Sequence, residues 1–261
     1  MLPKIDTRVI EEIKLLTANE KLLLRPYNIA QEKSLLLSLS SDEKSNWVAN
    51  AKNVIEQNLK SGDLSKVKSA IDFLYLCLKL RMISKSDKLE YTFRCPTLVE
   101  DQVCGHLFQL NDSIDSLLKI ENADSLKLIH KINDTLTVEL IPAHIDYVNE
   151  LAQLHLSDAK KYESMTDQQL IHESLDVICK ELSYHISKVF VNESGNEKMY
   201  DKFSHQEVLE NVIENLTIEE ITSLYNAKKK LINLKIRIEK NCPKCKKTFK
   251  KEMTNFFEFI I

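Results

Sequence analysis

A chain of 261 residues with 43% hydrophobic and 29% charged residues is long enough to bury a core without disulfides and too apolar to be a disordered tail. Thirty-six Lys and Arg against 39 Asp and Glu leave a net charge of -3, so the totals carry no signature of nucleic-acid binding. Gly62, Gly105 and Gly195 are the only glycines and stand far apart, which excludes the glycine-rich loops that cradle phosphates; Gly-x-Ser-x-Gly and His-Glu-x-x-His are absent too. No run of about 18 apolar residues and no secretory leader pattern occur, so the expectation is a cytosolic chain whose six cysteines are reduced thiols or metal ligands.

In chain order, Pro26 interrupts the first helical pattern. Asn28 to Leu39, with its cluster Leu35, Leu36, Leu37 and Leu39, then predicts a helix, as do Trp47, Val48, Val54, Ile55 and Leu59. Ser61-Gly62-Asp63 reads as a turn. Val67, Ala70, Ile71, Leu74, Leu78 and Met82 follow the spacing of a buried helix face. At Ser84 the period changes to two. Leu89, Tyr91 and Phe93 alternate with polar residues and run into Cys95-Pro96, and Leu107 to Leu110 returns after Cys104-Gly105-His106, predicting a hairpin over 88–110 with two cysteines at its tip. A second hairpin is predicted from Lys127 to Leu140 about Asn133-Asp134.

From Ala143 the helical period resumes, and three helix starts pair Ser or Thr with Gln or Glu three residues on: Thr166 with Gln169, Ser204 with Glu207, and Thr217 with Glu220. Leu234, Ile236 and Ile238 revert to period two and lead into Cys242-Pro-Lys-Cys245, followed by a short basic strand with Phe249. The expected fold class is α+β, mainly helical, with a small antiparallel β region and a C-terminal zinc-ribbon-like hairpin. Its parts are a helical stretch over 1–85, β hairpins over 86–142, a helical stretch over 143–230, and the Cys-x-x-Cys hairpin with an apolar tail over 231–261, in one or two compact domains.

Cys242-x-x-Cys245 at a hairpin tip is the strongest chemical signal, because that spacing lets two thiolates reach one tetrahedral ion at about 2.3 Å. The most economical second pair is Cys95 and Cys104, with His106 as a substitute for either, although eight intervening residues exceed the usual two to four. Free thiols and a redox pair are the alternatives. The redox reading is disfavoured because the cysteines lie between strands rather than at a helix start. Cys77 and Cys179 lie on apolar helix faces, where a small buried hydrophobe is expected.

Between Lys228 and Lys251 there are eleven basic residues and one acidic residue, Glu239, which leaves -13 for the remainder. A nucleic-acid reading competes here with a solvated sheet face. No catalytic pair emerges, so no enzyme activity is expected. The terminal Phe256, Phe257, Phe259, Ile260 and Ile261 are candidate partner-binding residues, since an apolar chain end either packs on the body or enters a partner's groove.

Several stretches resemble the baseplate proteins of T4-type contractile-tailed phages, the family with a baseplate hub subunit and hub assembly proteins. They are Leu24-Arg25-Pro26-Tyr27 with Gln31-Glu32-Lys33-Ser34-Leu35-Leu36, the run Asp72 to Arg81, Ile83-Ser84-Lys85-Ser86, Leu89 to Pro96, and Lys131 to Pro142. The resemblance implies a structural or chaperone-like protein of the baseplate hub. Its partners would be other baseplate or hub proteins, with no membrane and with oligomerisation left open, and its place the host cytoplasm during assembly and the virion tail. No catalytic residue transfers. The alternative is a regulator that binds nucleic acid through a zinc hairpin.

Overall fold

The computed structural model describes residues 10–40, 47–100, 102–155, 166–193 and 195–253. In chain order the strands and helices are β1 (Glu11–Lys14), β2 (Lys21–Leu24), α1 (Ile29–Ser40), α2 (Trp47–Asn58), β3 (Leu59–Ser61), α3 (Ala70–Ser84), β4 (Lys88–Arg94), β5 (Leu98–Val99), β6 (Gln102–Val103), β7 (Leu107–Ser113), α4 (Ile114–Leu117) and β8 (Leu118–Glu121). There follow β9 (Leu128–Lys131), β10 (Leu136–Leu140), α5 (Val148–His155), α6 (Asp167–Ser183), β11 (Ile186–Glu193), β12 (Asn196–Tyr200), α7 (His205–Asn211), α8 (Ile218–Lys228), β13 (Asn233–Asn241) and β14 (Thr248–Met253). Two compact units share the described residues: those within 1–67, 72–120 and 234–261 form the first, and those within 68–71 and 121–233 the second.

Among its described residues the first unit contains the antiparallel sets β1-β2-β3 and β4-β7, the sheet β14-β13-β8, in which β13 and β14 run antiparallel, and the short pair β5-β6. Leu22 and Leu24 of β2 are fully buried, as are Phe73, Leu76 and Leu78 of α3, and Trp47 meets Phe73 edge-on at 6.0 Å between centroids. Asp72, also fully buried, accepts the N–H groups of Leu16 at 2.6 Å and Thr17 at 3.1 Å and the Thr17 hydroxyl. These donors offset the cost of burying a carboxylate and fasten the β1–β2 turn to α3. Gly62 follows β3 at φ +103°, and a Cβ there would lie 2.5 Å from the Leu22 side chain, so the turn demands glycine both for its backbone and for its close approach.

The second unit carries the sheet β12-β11-β10-β9. Its core joins Val138 and Leu140 of β10, Ile186 and Val189 of β11, Leu182 of α6, Val208 and Leu209 of α7, and Leu224 and Ala227 of α8. All three predicted capping boxes form: the Thr166, Ser204 and Thr217 side chains each accept the backbone N–H three residues on, and Gln169, Glu207 and Glu220 each return a bond to the cap. His185 lies beside this core with its ring Nδ1 2.8 Å from the Ile141 carbonyl, and burial, reinforced by the Lys228 charge, pushes it down to about 4. The buried Glu139 meets Lys127, Lys188 and Ser187 Oγ, and although burial opposes its charge, these partners hold the carboxyl below the usual range.

The expectation of a mainly helical protein with a small β region is corrected: helix takes 41% and strand 31%, arranged in several antiparallel sheets, within a fold that is still α+β. Two stretches read as helical account for much of the difference. Strands β1 and β2 span four residues each, too short for period two to separate from 3.6, and Leu22-Leu23-Leu24 is a continuous apolar run. In β11 the register shifts opposite Glu139 and Leu140, so that Lys188 and Ile186 pair with them and Ser187 is extra. That bulge separates the buried Ile186 and Val189 by three positions, a helical interval produced by a strand.

Candidate metal centre

Both predicted cysteine hairpins form within the first unit. Strands β4 and β7 pair from Lys88 with Ser113 to Arg94 with Leu107, and β13 and β14 pair from Ile236 with Met253 to Asn241 with Thr248. Alternating burial of Leu234, Ile236 and Ile238 supplies the apolar face of β13, while Phe108 of β7 packs edge-on against Phe249 of β14 at 6.2 Å. These contacts set the two hairpin tips side by side.

At the tips, the sulfurs of Cys95, Cys104, Cys242 and Cys245 all lie within 4.8 Å of one another. Cys95 Sγ is 3.8 Å from Cys245 Sγ, and Cys104 Sγ is 3.8 Å from Cys242 Sγ. A disulfide would require about 2.05 Å, whereas four sulfurs about 2.3 Å from a central ion stand roughly 3.8 Å apart along the edges of a tetrahedron. Cys95 and Cys242 are buried, and Cys104 and Cys245 are half-buried. Four sulfur donors in this arrangement fit a tetrahedral thiophilic ion such as zinc. The thiols are tuned unequally: hydrogen bonds from the Thr97 side chain and N–H bring Cys95 down to about 7. At Cys245 the Lys247 N–H lowers the value, but burial and the neighbouring thiols outweigh it and carry the thiol up to about 11. Four thiolates this close repel one another, and a cation is what would let them ionise together.

The two loops are built on one hydrogen-bond frame. In the first, the Cys95 N–H donates to the His106 carbonyl at 2.9 Å and the Gly105 N–H to the Cys95 carbonyl at 3.0 Å. In the second, the Cys242 N–H donates to the Lys247 carbonyl at 3.0 Å and the Lys246 N–H to the Cys242 carbonyl at 2.8 Å. Gly105 and Lys246 occupy the same left-handed position, at φ +63° and +59°. Cys95 thus corresponds to Cys242 and Cys104 to Cys245. The spacing that looked too wide is explained by the β5-β6 pair: the Cys104 N–H donates to the Thr97 carbonyl at 2.9 Å, so residues 98–103 loop out and Cys104 returns as though only Pro96 and Thr97 intervened.

His106 contributes its carbonyl to this frame, and its ring is not in the sulfur cluster. Cys77 is buried and Cys179 half-buried, both on helices, and burial pushes both thiols up, consistent with their expected place as small hydrophobes. Phe256, Phe257, Phe259, Ile260 and Ile261 lie outside the described residues.

Part of the basic stretch is answered in place. Glu252 pairs with Lys235 and Arg237, Glu239 with Lys250 at 2.9 Å, Asp112 with Lys240 at 2.6 Å, and, in the second unit, Glu181 with Lys228. Glu252 is held below the usual carboxylate range, first by its hydrogen bond from Arg237 and then by that from Lys235. Paired cations on a strand whose other face is buried match the solvated-sheet reading. Among the described residues, no helix is long and apolar enough to cross a membrane.

Comparison with known proteins adds one match: the family model described as T4 bacteriophage base plate protein covers residues 7–260. Neither curated proteins nor solved structures yield a significant match.

Proposed function

The chain belongs to the T4 bacteriophage base plate protein family, and from that premise we propose that it serves the baseplate hub as a structural or assembly protein without catalytic turnover. The family match extends over nearly the whole chain, so the baseplate assignment applies to both units and to the cysteine centre rather than to a shared fragment. Other baseplate proteins are its proposed partners, met first in the host cytoplasm and then in the tail.

The observation that carries the mechanism is the convergence of four sulfurs from two hairpins about 140 residues apart, with Cys95 beside Cys245 and Cys104 beside Cys242. Cys95, Cys104, Cys242 and Cys245 would hold one structural zinc, whose charge would neutralise the thiolates when bound. The chain's own part is to present them: Thr97 and Lys247 donate to the sulfurs, and Gly105 and Lys246 turn the backbone so that each hairpin offers two. Closing the chain in this way gives the first unit a fixed outer surface, which suits a component that must fit its neighbours.

Quantitative mass spectrometry of purified tails and of assembly intermediates tests the role. The chain is expected in baseplates, or bound to hub proteins before tails form. Its absence from both, with normal tails assembled when it is deleted, would refute the proposal.

A further inference from the structure

The second cysteine loop closes with two residues between its sulfurs, so the donor geometry asks for nothing longer. The first carries six more, residues 98–103, whose strands form a finger in which Leu98 pairs with Val103 and Val99 with Gln102. Leu98 and Val103 are each 58% exposed, Leu107 at the root is 55% exposed, and Val99 is 36% exposed. None of these side chains is a donor of the sulfur cluster, and exposed apolar side chains gathered on one short hairpin mark a contact surface.

We infer that Leu98, Val99, Val103 and Leu107 form a docking finger that enters an apolar groove flanked by acidic side chains on another protein. Charge identifies the flank. At the root, Lys247 Nζ donates to the Leu98 carbonyl at 2.9 Å, and Lys244 and Lys246 of the same loop are exposed, with no acidic residue between Lys240 and Lys251. The turn at the far end carries the exposed Glu100 at φ +49°. The finger is therefore basic at its root, apolar along its strands and acidic at its tip, so a groove that accepts it must place carboxylates where the lysines arrive. Four side chains fall far short of the roughly 20–30 residues a side of a self-sufficient interface, which makes the finger an anchor within a larger contact. The inference rests on the baseplate reading only for where the partner is found.

A photo-crosslinking residue placed at Val103 in the full chain, in cells producing the phage, tests the surface. The expected product joins position 103 to one different protein at an apolar segment flanked by Asp or Glu, and changing Lys244, Lys246 and Lys247 to Glu cuts its yield at least tenfold. Deleting residues 98–103, which gives the first loop the spacing of the second, is expected to abolish copurification of that protein while leaving metal content and thermal midpoint in place. Crosslinks to a second copy or to nucleic acid, no crosslink, or loss of metal on deletion would overturn the inference. A crosslinked partner from outside the tail would leave the finger standing and remove the baseplate reading; chain found in tails with position 103 uncrosslinked would do the reverse.

Discussion

The two units reach stability by different routes. The second is nearly continuous in sequence, and its core is closed by helices that each begin with a reciprocal cap and by a four-stranded sheet joined largely through local hairpins. The first is assembled from three separate stretches, and its remote segments meet sulfur to sulfur, between residues 95 and 245 and between residues 104 and 242. In the second unit, local capping and apolar burial close a core from segments near one another in sequence. A unit gathered from remote segments pays a larger chain-closure entropy, and a shared ion is an effective way to offset it.

Removing the metal should separate the units most sharply. Chelation, or Cys242→Ser, is expected to strip hydrogen-exchange protection from β4, β7, β13 and β14 while β10 and β11 stay protected. Zinc sites in small domains supply roughly 10 kcal/mol or more of folding free energy, so this effect should exceed any core substitution, and Cys179→Ser should cost about 1 kcal/mol. Equal effects of the two serine substitutions would show that the ligands are misassigned. Leu182→Ala is the counterpart for the second unit: its side chain is fully buried, and a loss of about 3 kcal/mol in denaturant titration, with unchanged zinc content, is expected.

Acid offers a smaller contrast within the second unit. His185 binds its proton less readily folded, at about 4, than unfolded, at about 6.5, so its contribution is intact above pH 6.5 and is lost as pH falls toward 4. The loss is at most about 3 kcal/mol, because the residue keeps some solvent contact. Hydrogen exchange at β10 between those pH values measures it, and His185→Asn should flatten the dependence; an unchanged slope would assign the acid sensitivity elsewhere. Smallest of all, Lys246→Gly should raise stability by about 1 kcal/mol by relieving the left-handed backbone at φ +59°, whereas Gly105→Ala at the matching position should lower it by a similar amount. Thermal midpoints of the two variants moving in the same direction would break the equivalence of the loops.

Much of this was legible from residue order. The alternation of Leu234, Ile236 and Ile238, the three capping boxes and the two Cys-Pro steps are local patterns, and they correspond to β13, α6, α7, α8 and the two cysteine loops. The sulfur centre could be anticipated because two thiols at each of two hairpin tips leave few other arrangements that fill a tetrahedral site. What the sequence concealed came from irregularity. Residues 98–103 disguised a two-residue spacing as eight, and the bulge at Ser187 gave β11 the period of a helix. The strands β1 and β2 owe their form to a remote partner, since Asp72 of α3 holds the turn between them, and no window of local sequence contains that bond.

The central claim is that Cys95, Cys104, Cys242 and Cys245 share one ion. Zinc-edge X-ray absorption on the purified chain tests it most directly, with one metal per chain and four sulfur scatterers at about 2.3 Å expected. A folded, protected first unit without metal, or a first shell containing nitrogen or oxygen, would contradict it.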